Sequence, residues 1–155
     1  MTFQHVTGRL TPVEPFDFAR SLAFIGAFPP VRGEQTQGDL TLTKGVMVAG
    51  QPVVFRLTGA GSALTYEAWS PASIAQAALE DRLRFFLSLD DDLEPFYAIA
   101  RNDAAFTPIL TALHGLHQVK FLTPFENAVW AVLTQRTPMP MARKMKAALI
   151  VAKGA

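Results

Sequence analysis

Apolar residues alternate with polar or small ones through Leu40, Leu42, Val46 and Val48. They do so again through Val53, Phe55 and Leu57, after Ala49-Gly50-Gln51. Successive side chains of a strand face opposite sides, so two period-two runs around a Gly-containing turn predict an antiparallel hairpin. Residues 64–69 can add a third strand, and residues 3–10 an edge strand. Residues 16–28 are apolar at mixed spacing and predict a helix. Pro29-Pro30 stops it, because proline lacks the N–H a helix needs. Residues 31–38 are polar and Gly-containing and predict a loop.

The second half reads as helices. Ser70-Pro71 has the form of an N-cap followed by proline in the first helical position, and predicts a helix over 71–87. Asp90-Asp91-Asp92 precede the helically spaced Leu93, Phe96, Tyr97 and Ala100. Acidic residues before such a run suit a helix N-terminus through capping and the dipole; a metal site is the less economical reading. Thr107-Pro108 opens a further short helix, which Gly115 ends. Thr123-Pro124-Phe125-Glu126 has the form of a capping box, Thr123 accepting from the third backbone N–H while Glu126 reaches back to the Thr123 N–H. Phe125, Val129, Val132 and Leu133 then make one apolar stripe. A last helix over 138–152 has its stripe at Met141, Met145, Ala148, Leu149 and Ala152, with Arg143 and Lys146 on the other side. Strands followed by helices predict an α+β class: an N-terminal antiparallel sheet with helices, then an all-α segment. No internal repeat or low-complexity segment interrupts this order.

Composition narrows the picture. Half of the 155 residues are hydrophobic and 17% are charged, a globular balance. Cysteine is absent, so disulfides and Cys-based metal centres are excluded. No signal-peptide pattern and no apolar run of membrane-spanning length is present, which with the missing cysteines points to a cytoplasmic protein and no membrane partner. The net charge of +1 hides an asymmetry: residues 127–155 hold five basic residues and no acidic one, leaving 9 basic against 13 acidic elsewhere. A basic segment on an otherwise acidic chain suits a polyanion, or is simply a solvated helix face. Nucleophile-elbow, phosphate-loop, dinucleotide and HExxH patterns are missing. His114 and His117 lie three apart with Gly115 between them and no third ligand nearby, so no metal site is expected. No cofactor is expected either.

The run Thr123-Pro124-Phe125-Glu126-Asn127-Ala128-Val129-Trp130-Ala131-Val132-Leu133-Thr134-Gln135 is similar to the helix that opens the helix-hairpin-helix domain of the 3-methyladenine DNA glycosylase II family. Met141-Ala142-Arg143-Lys144-Met145 resembles that family's next helix, residues 85–105 its linker helices, and Pro15-Phe16-Asp17-Phe18 with Leu22-Ala23-Phe24 the opening of its N-terminal sheet domain. The resemblance implies a sheet domain over 1–88 and, over 89–155, the incomplete start of a helix-hairpin-helix domain. It implies a parent enzyme of base-excision repair that flips alkylated purines such as 3-methyladenine out of duplex DNA and hydrolyses the N-glycosidic bond. Double-stranded DNA carrying alkylated bases is then the expected partner. Gln135-Arg136-Thr137 match the loop that places a wedge in the base stack, and Arg136 either intercalates through its flat guanidinium or binds phosphate. Arg143, Lys144 and Lys146 are expected to contact DNA with them. Phe24 matches a base-pocket position, an ordinary core phenylalanine being the alternative. The family's hairpin glycines and catalytic aspartate follow the second of these helices, and no Gly-rich hairpin occurs here. No catalytic residue is therefore expected among residues 1–155, which alone are expected to be inactive and, with uncovered stripes, to self-associate. The other reading is a non-catalytic DNA-binding or interaction module derived from the same family.

Overall fold

Val48 pairs with Gln51, so β3 (Thr41–Val48) and β4 (Gln51–Ala60) meet at a two-residue turn. Both turn residues, Ala49 and Gly50, take positive φ, the backbone that matches the right-handed twist of a hairpin. β5 (Ala63–Ser70) pairs antiparallel with β4, and β1 (Gln4–Leu10) lies antiparallel on the outer side of β5. The predicted edge strand and third strand are both present. The computed structural model describes residues 3–153.

The segment predicted as a loop holds a strand. Pro29–Val31 form a 3-10 turn, and β2 (Gln35–Gly38) pairs with β3 to complete an antiparallel sheet of order β1-β5-β4-β3-β2. Gln35-Thr36-Gln37-Gly38 show no alternation because the strand lies at an edge and is largely exposed. Its pairing comes from the neighbour, not from its own pattern.

Helices α1 (Phe18–Ala27) and α2 (Gln76–Leu87) share one core with the sheet. Asp17 caps α1, its carboxylate accepting from the N–H groups of Ala19 at 2.9 Å and Arg20 at 3.3 Å. Leu22 and Ile25 of α1 and Leu79, Leu83, Phe86 and Leu87 of α2 meet Leu42, Phe55, Leu57 and Tyr66 of the sheet. Tyr66 is clamped there: its hydroxyl donates to Glu80 at 2.5 Å and accepts from Gln76 at 2.9 Å. Burial, then the Glu80 carboxylate, pushes its phenol up to about 12.

Ser70-Pro71 do not start α2. Ser70 completes β5 opposite Gln4, and its hydroxyl accepts from the Ala72 N–H at 3.2 Å, so the helix begins only at Gln76. Ladder pairing outcompeted the cap.

The remaining helices are α3 (Glu94–Ala100), α4 (Thr107–Ala112), α5 (Pro124–Leu133) and α6 (Met139–Lys153). With α1 and α2 they give, over the described residues, the α+β arrangement predicted. Asp92 caps the start of α3, accepting from the Glu94 N–H at 3.0 Å. Asp90 instead takes a bidentate bond from Arg84, whose guanidinium holds its carboxyl below the usual carboxylate range. The core does not stop at residue 88: Leu89, Val119 and Leu122 are buried in the same cluster as the sheet. Among the described residues no helix is long and apolar enough to cross a membrane.

Candidate functional site

Two features stand out: a basic helix–loop–helix and an apolar cleft. Thr123 caps α5, its hydroxyl accepting from the Glu126 N–H at 3.0 Å. The reciprocal half of the predicted capping box is absent. Glu126 Oε2 accepts from the Leu122 N–H at 3.2 Å, and Oε1 faces the ammonium of Lys146 at 3.3 Å. Glu126 is therefore shared between a helix start and an ion cluster.

At the other end, Thr134 closes α5, its hydroxyl donating to Trp130 O at 2.9 Å. Gln135, Arg136 and Thr137 follow in a tight loop. Arg136 has φ of 53°, a left-handed conformation that a side chain with a Cβ adopts at a cost of about 1–2 kcal/mol. Arg136 and Lys144 are exposed, Arg143 is half-buried, and none of the three is ion-paired among the described residues.

Lys146 does not join them. The sequence expectation placed it on a DNA-contacting face, but it is buried. Its ammonium lies 2.6 Å from Glu34 Oε1 and donates to Pro30 O at 2.8 Å. It is withdrawn from the set that can meet phosphate because its ammonium is already paired inside the protein.

The same finding turns α6 over. Ala142 and Lys146 are its buried residues, whereas Met141, Met145 and Leu149, the predicted inward stripe, are at least 40% exposed. On α5, Phe125 and Val132 are exposed at 76% and 68%, and no residue of that helix is fully buried. A helical stripe gives the spacing of a face but not what it meets. Here the buried side is set by the ammonium of Lys146.

The cleft lies among α1, α3, α4 and the segment after Gly115, with a volume of about 320 Å³. Phe24, the predicted base-pocket residue, is half-buried in its wall, stacked on Phe28 at 5.2 Å. Phe96 and Phe106 face each other edge-on at 6.1 Å in the same wall, with Ile109 and Leu113 beside them. Tyr97, His117 and Gln118 supply its polar side chains, and among the described residues no carboxylate lines it. The cleft suits a flat apolar group. Sequence reasoning found only Phe24 of this wall. The others lie on short helices whose apolar positions read as core.

Both histidines have structural surroundings. His114 stacks on Tyr97 at 5.0 Å, and His117 is fully buried with each ring nitrogen facing a backbone carbonyl.

Neither family models nor curated proteins match this chain. Solved structures do. One is a 3-methyladenine DNA-glycosylase from Archaeoglobus fulgidus, with a TM-score of 0.73 at 16% identity, covering 94% of this chain and 50% of that one. The two share a fold. The chain spans half the length of that glycosylase, and at this identity the relationship is distant and the likeness is of architecture alone.

Proposed function

We propose that this chain forms the DNA-contacting half of a glycosylase-like protein that acts on alkylated purines, such as 3-methyladenine, in duplex DNA. In this reading residues 1–88 form the sheet domain and residues 89–155 begin the helix-hairpin-helix domain. Gln135, Arg136 and Thr137 enter or abut the base stack, Arg143 and Lys144 neutralise phosphates, and Phe24 contributes an aromatic wall to the base pocket. The observation that carries the reading is a pair of exposed basic side chains with no ion-pair partner among the described residues, Arg136 in the loop between α5 and α6 and Lys144 on α6, held in a fold shared with a DNA-glycosylase over 94% of the chain.

Duplex binding is expected to be weak and salt-sensitive, with a log–log slope of roughly −0.9 per phosphate neutralised. Arg136→Ala and Lys144→Ala should each weaken binding and reduce the slope by about one unit. Fluorescence anisotropy across a salt series measures this. Unchanged affinity in both variants would reduce the basic face to a solvated surface.

A second reading is favoured by the lack of carboxylates in the cleft: a non-catalytic module that binds DNA or a partner. Release of 3-methyladenine by residues 1–155 alone is expected under neither reading. Tighter binding to duplex carrying alkylated bases than to unmodified duplex supports the glycosylase-like protein, and equal affinity supports the module.

The apolar side chains left in water on α5 and α6 bear on behaviour in solution. Phe125, Val132, Met141, Met145, Leu149 and Val151 are all exposed. Soluble monomers seldom expose contiguous apolar patches beyond a few hundred Å². Self-association of this chain at micromolar concentration is the expected outcome, and light scattering reads it directly. A sharp monomer mass would refute it.

A further inference from the structure

Beneath the α5–α6 hairpin lie four charged side chains from four parts of the chain. Lys44 is on β3, Glu34 just before β2, Glu126 in the first turn of α5 and Lys146 in the middle of α6. Lys146 Nζ is 2.6 Å from Glu34 Oε1, 3.3 Å from Glu126 Oε1 and 2.8 Å from Pro30 O. Lys44 Nζ is 3.2 Å from Glu34 Oε2 and 3.8 Å from Glu126 Oε1. Side-chain exposure is 6% and 7% for the lysines and 15% and 19% for the glutamates. Two positive and two negative charges balance.

We infer that this cluster is a latch that sets the position of the α5–α6 hairpin on the sheet, making Lys146 and Glu126 positioning residues for the 134–138 loop. The inference rests on the reading of that loop as the DNA contact. Hydrophobic packing is a poor candidate for the same task. α5 buries no side chain fully, and α6 buries only Ala142 and Lys146. Buried ion pairs add little net stability, since desolvation offsets most of their attraction. What they supply is direction. Lys146 donates to Pro30 O and Glu126 Oε1 and is ion-paired with Glu34, so sliding or rotating α6 by a fraction of a turn would strand an ammonium and two carboxylates away from water. Apolar contacts tolerate such a shift; this ring does not. Lys44 occupies a core-facing position of β3, between Leu42 and Val46, where a hydrophobic residue would otherwise stand. The sheet therefore offers an ionic socket, and α6 supplies its plug.

The test uses the whole chain and follows hydrogen exchange residue by residue beside duplex affinity at low salt. Lys146→Met should speed exchange of amides in 124–153 at least about tenfold while β3, β4 and β5 keep their protection. It should also weaken duplex binding more than Lys153→Met, which removes an equal charge from the same helix outside the cluster. Adding Glu34→Gln to Lys146→Met restores neutrality and should recover part of the protection. If Lys146→Met does not fold, the near-isosteric Glu126→Gln carries the same readouts. Unchanged exchange in 124–153, or acceleration spread equally over the sheet, would overturn the latch. If the unaltered chain fails to bind duplex, the DNA reading falls, and the exchange measurements still decide the latch.

Discussion

His117→Ala should cost the fold about 3–5 kcal/mol, measured as a fall in unfolding free energy by denaturant titration. The ring is fully buried, with Nδ1 2.6 Å from Ser88 O and Nε2 2.9 Å from Pro15 O. It thus joins the end of α2 and the segment that leads into α1, 29 and 102 residues before it in sequence. A carbonyl oxygen only accepts, so a ring nitrogen that bonds to one must donate. Alanine takes the ring's partner from Pro15 O, at a cost of about 1–3 kcal/mol, and removes the edge contact between the ring and Phe16 at 5.2 Å, while Ser88 O keeps the Asp91 N–H at 3.2 Å. His117→Gln, which keeps an NH2 group, should lose less than alanine does. A loss below about 1 kcal/mol in the alanine variant would show that Pro15 O finds another donor. His117 also lies in the cleft wall. The alanine variant should therefore loosen Gln118 and Val119 before the sheet, which amide exchange resolves.

Gly8→Ala should be the next most damaging change, at about 2–3 kcal/mol. Gly8 lies opposite Tyr66 in the β1–β5 ladder, and a Cβ built there would sit 2.4 Å from Cε1 and 2.5 Å from Cζ of the Tyr66 ring. No real Cβ tolerates that approach. The ring cannot swing away, because its hydroxyl is held by Glu80 and Gln76 and its faces are packed in the core. β1 must lift from β5 instead, or Tyr66 must give up both bonds. The helpful entropy of replacing glycine in a strand is worth only about 0.5–1 kcal/mol and does not offset this. A double-mutant cycle isolates the cause. In a Tyr66→Ala background, Gly8→Ala should be nearly neutral. An equal cost in both backgrounds would place the strain elsewhere.

The strand and helix order was legible because it depends on local periodicity. The alternation through Val53, Phe55 and Leu57 appears in β4 as inward and outward positions, and Thr123 caps the helix it precedes. Local rules failed where a distant partner decided the outcome. Ser70 carries every mark of an N-cap, yet it finishes β5 because Gln4 pairs with it. Gln35-Thr36-Gln37-Gly38 carry no mark of a strand, yet β3 makes them one.

The candidate site divides along the same line. Phe24 and the loop at 135–137 were singled out by the resemblance to a glycosylase family; Phe24 lines an aromatic cleft, and Arg136 and Lys144 are exposed. That the cleft wall also takes Phe96, Phe106, Ile109 and Leu113 is a fact of how α3 and α4 pack. Lys146 is the sharpest case. By sequence it is one cation among several on a basic helix, indistinguishable from Lys144 two residues before it. Two residues is about 200° of helix turn, so the same basic run sends Lys144 to solvent and Lys146 onto Glu34 and Glu126, 112 and 20 residues before it. Periodicity and caps determine which segments are strands and helices, because those forces act within a few residues. Which side of α6 is buried depended on carboxylates brought there by other parts of the chain, and only the tertiary structure could decide it.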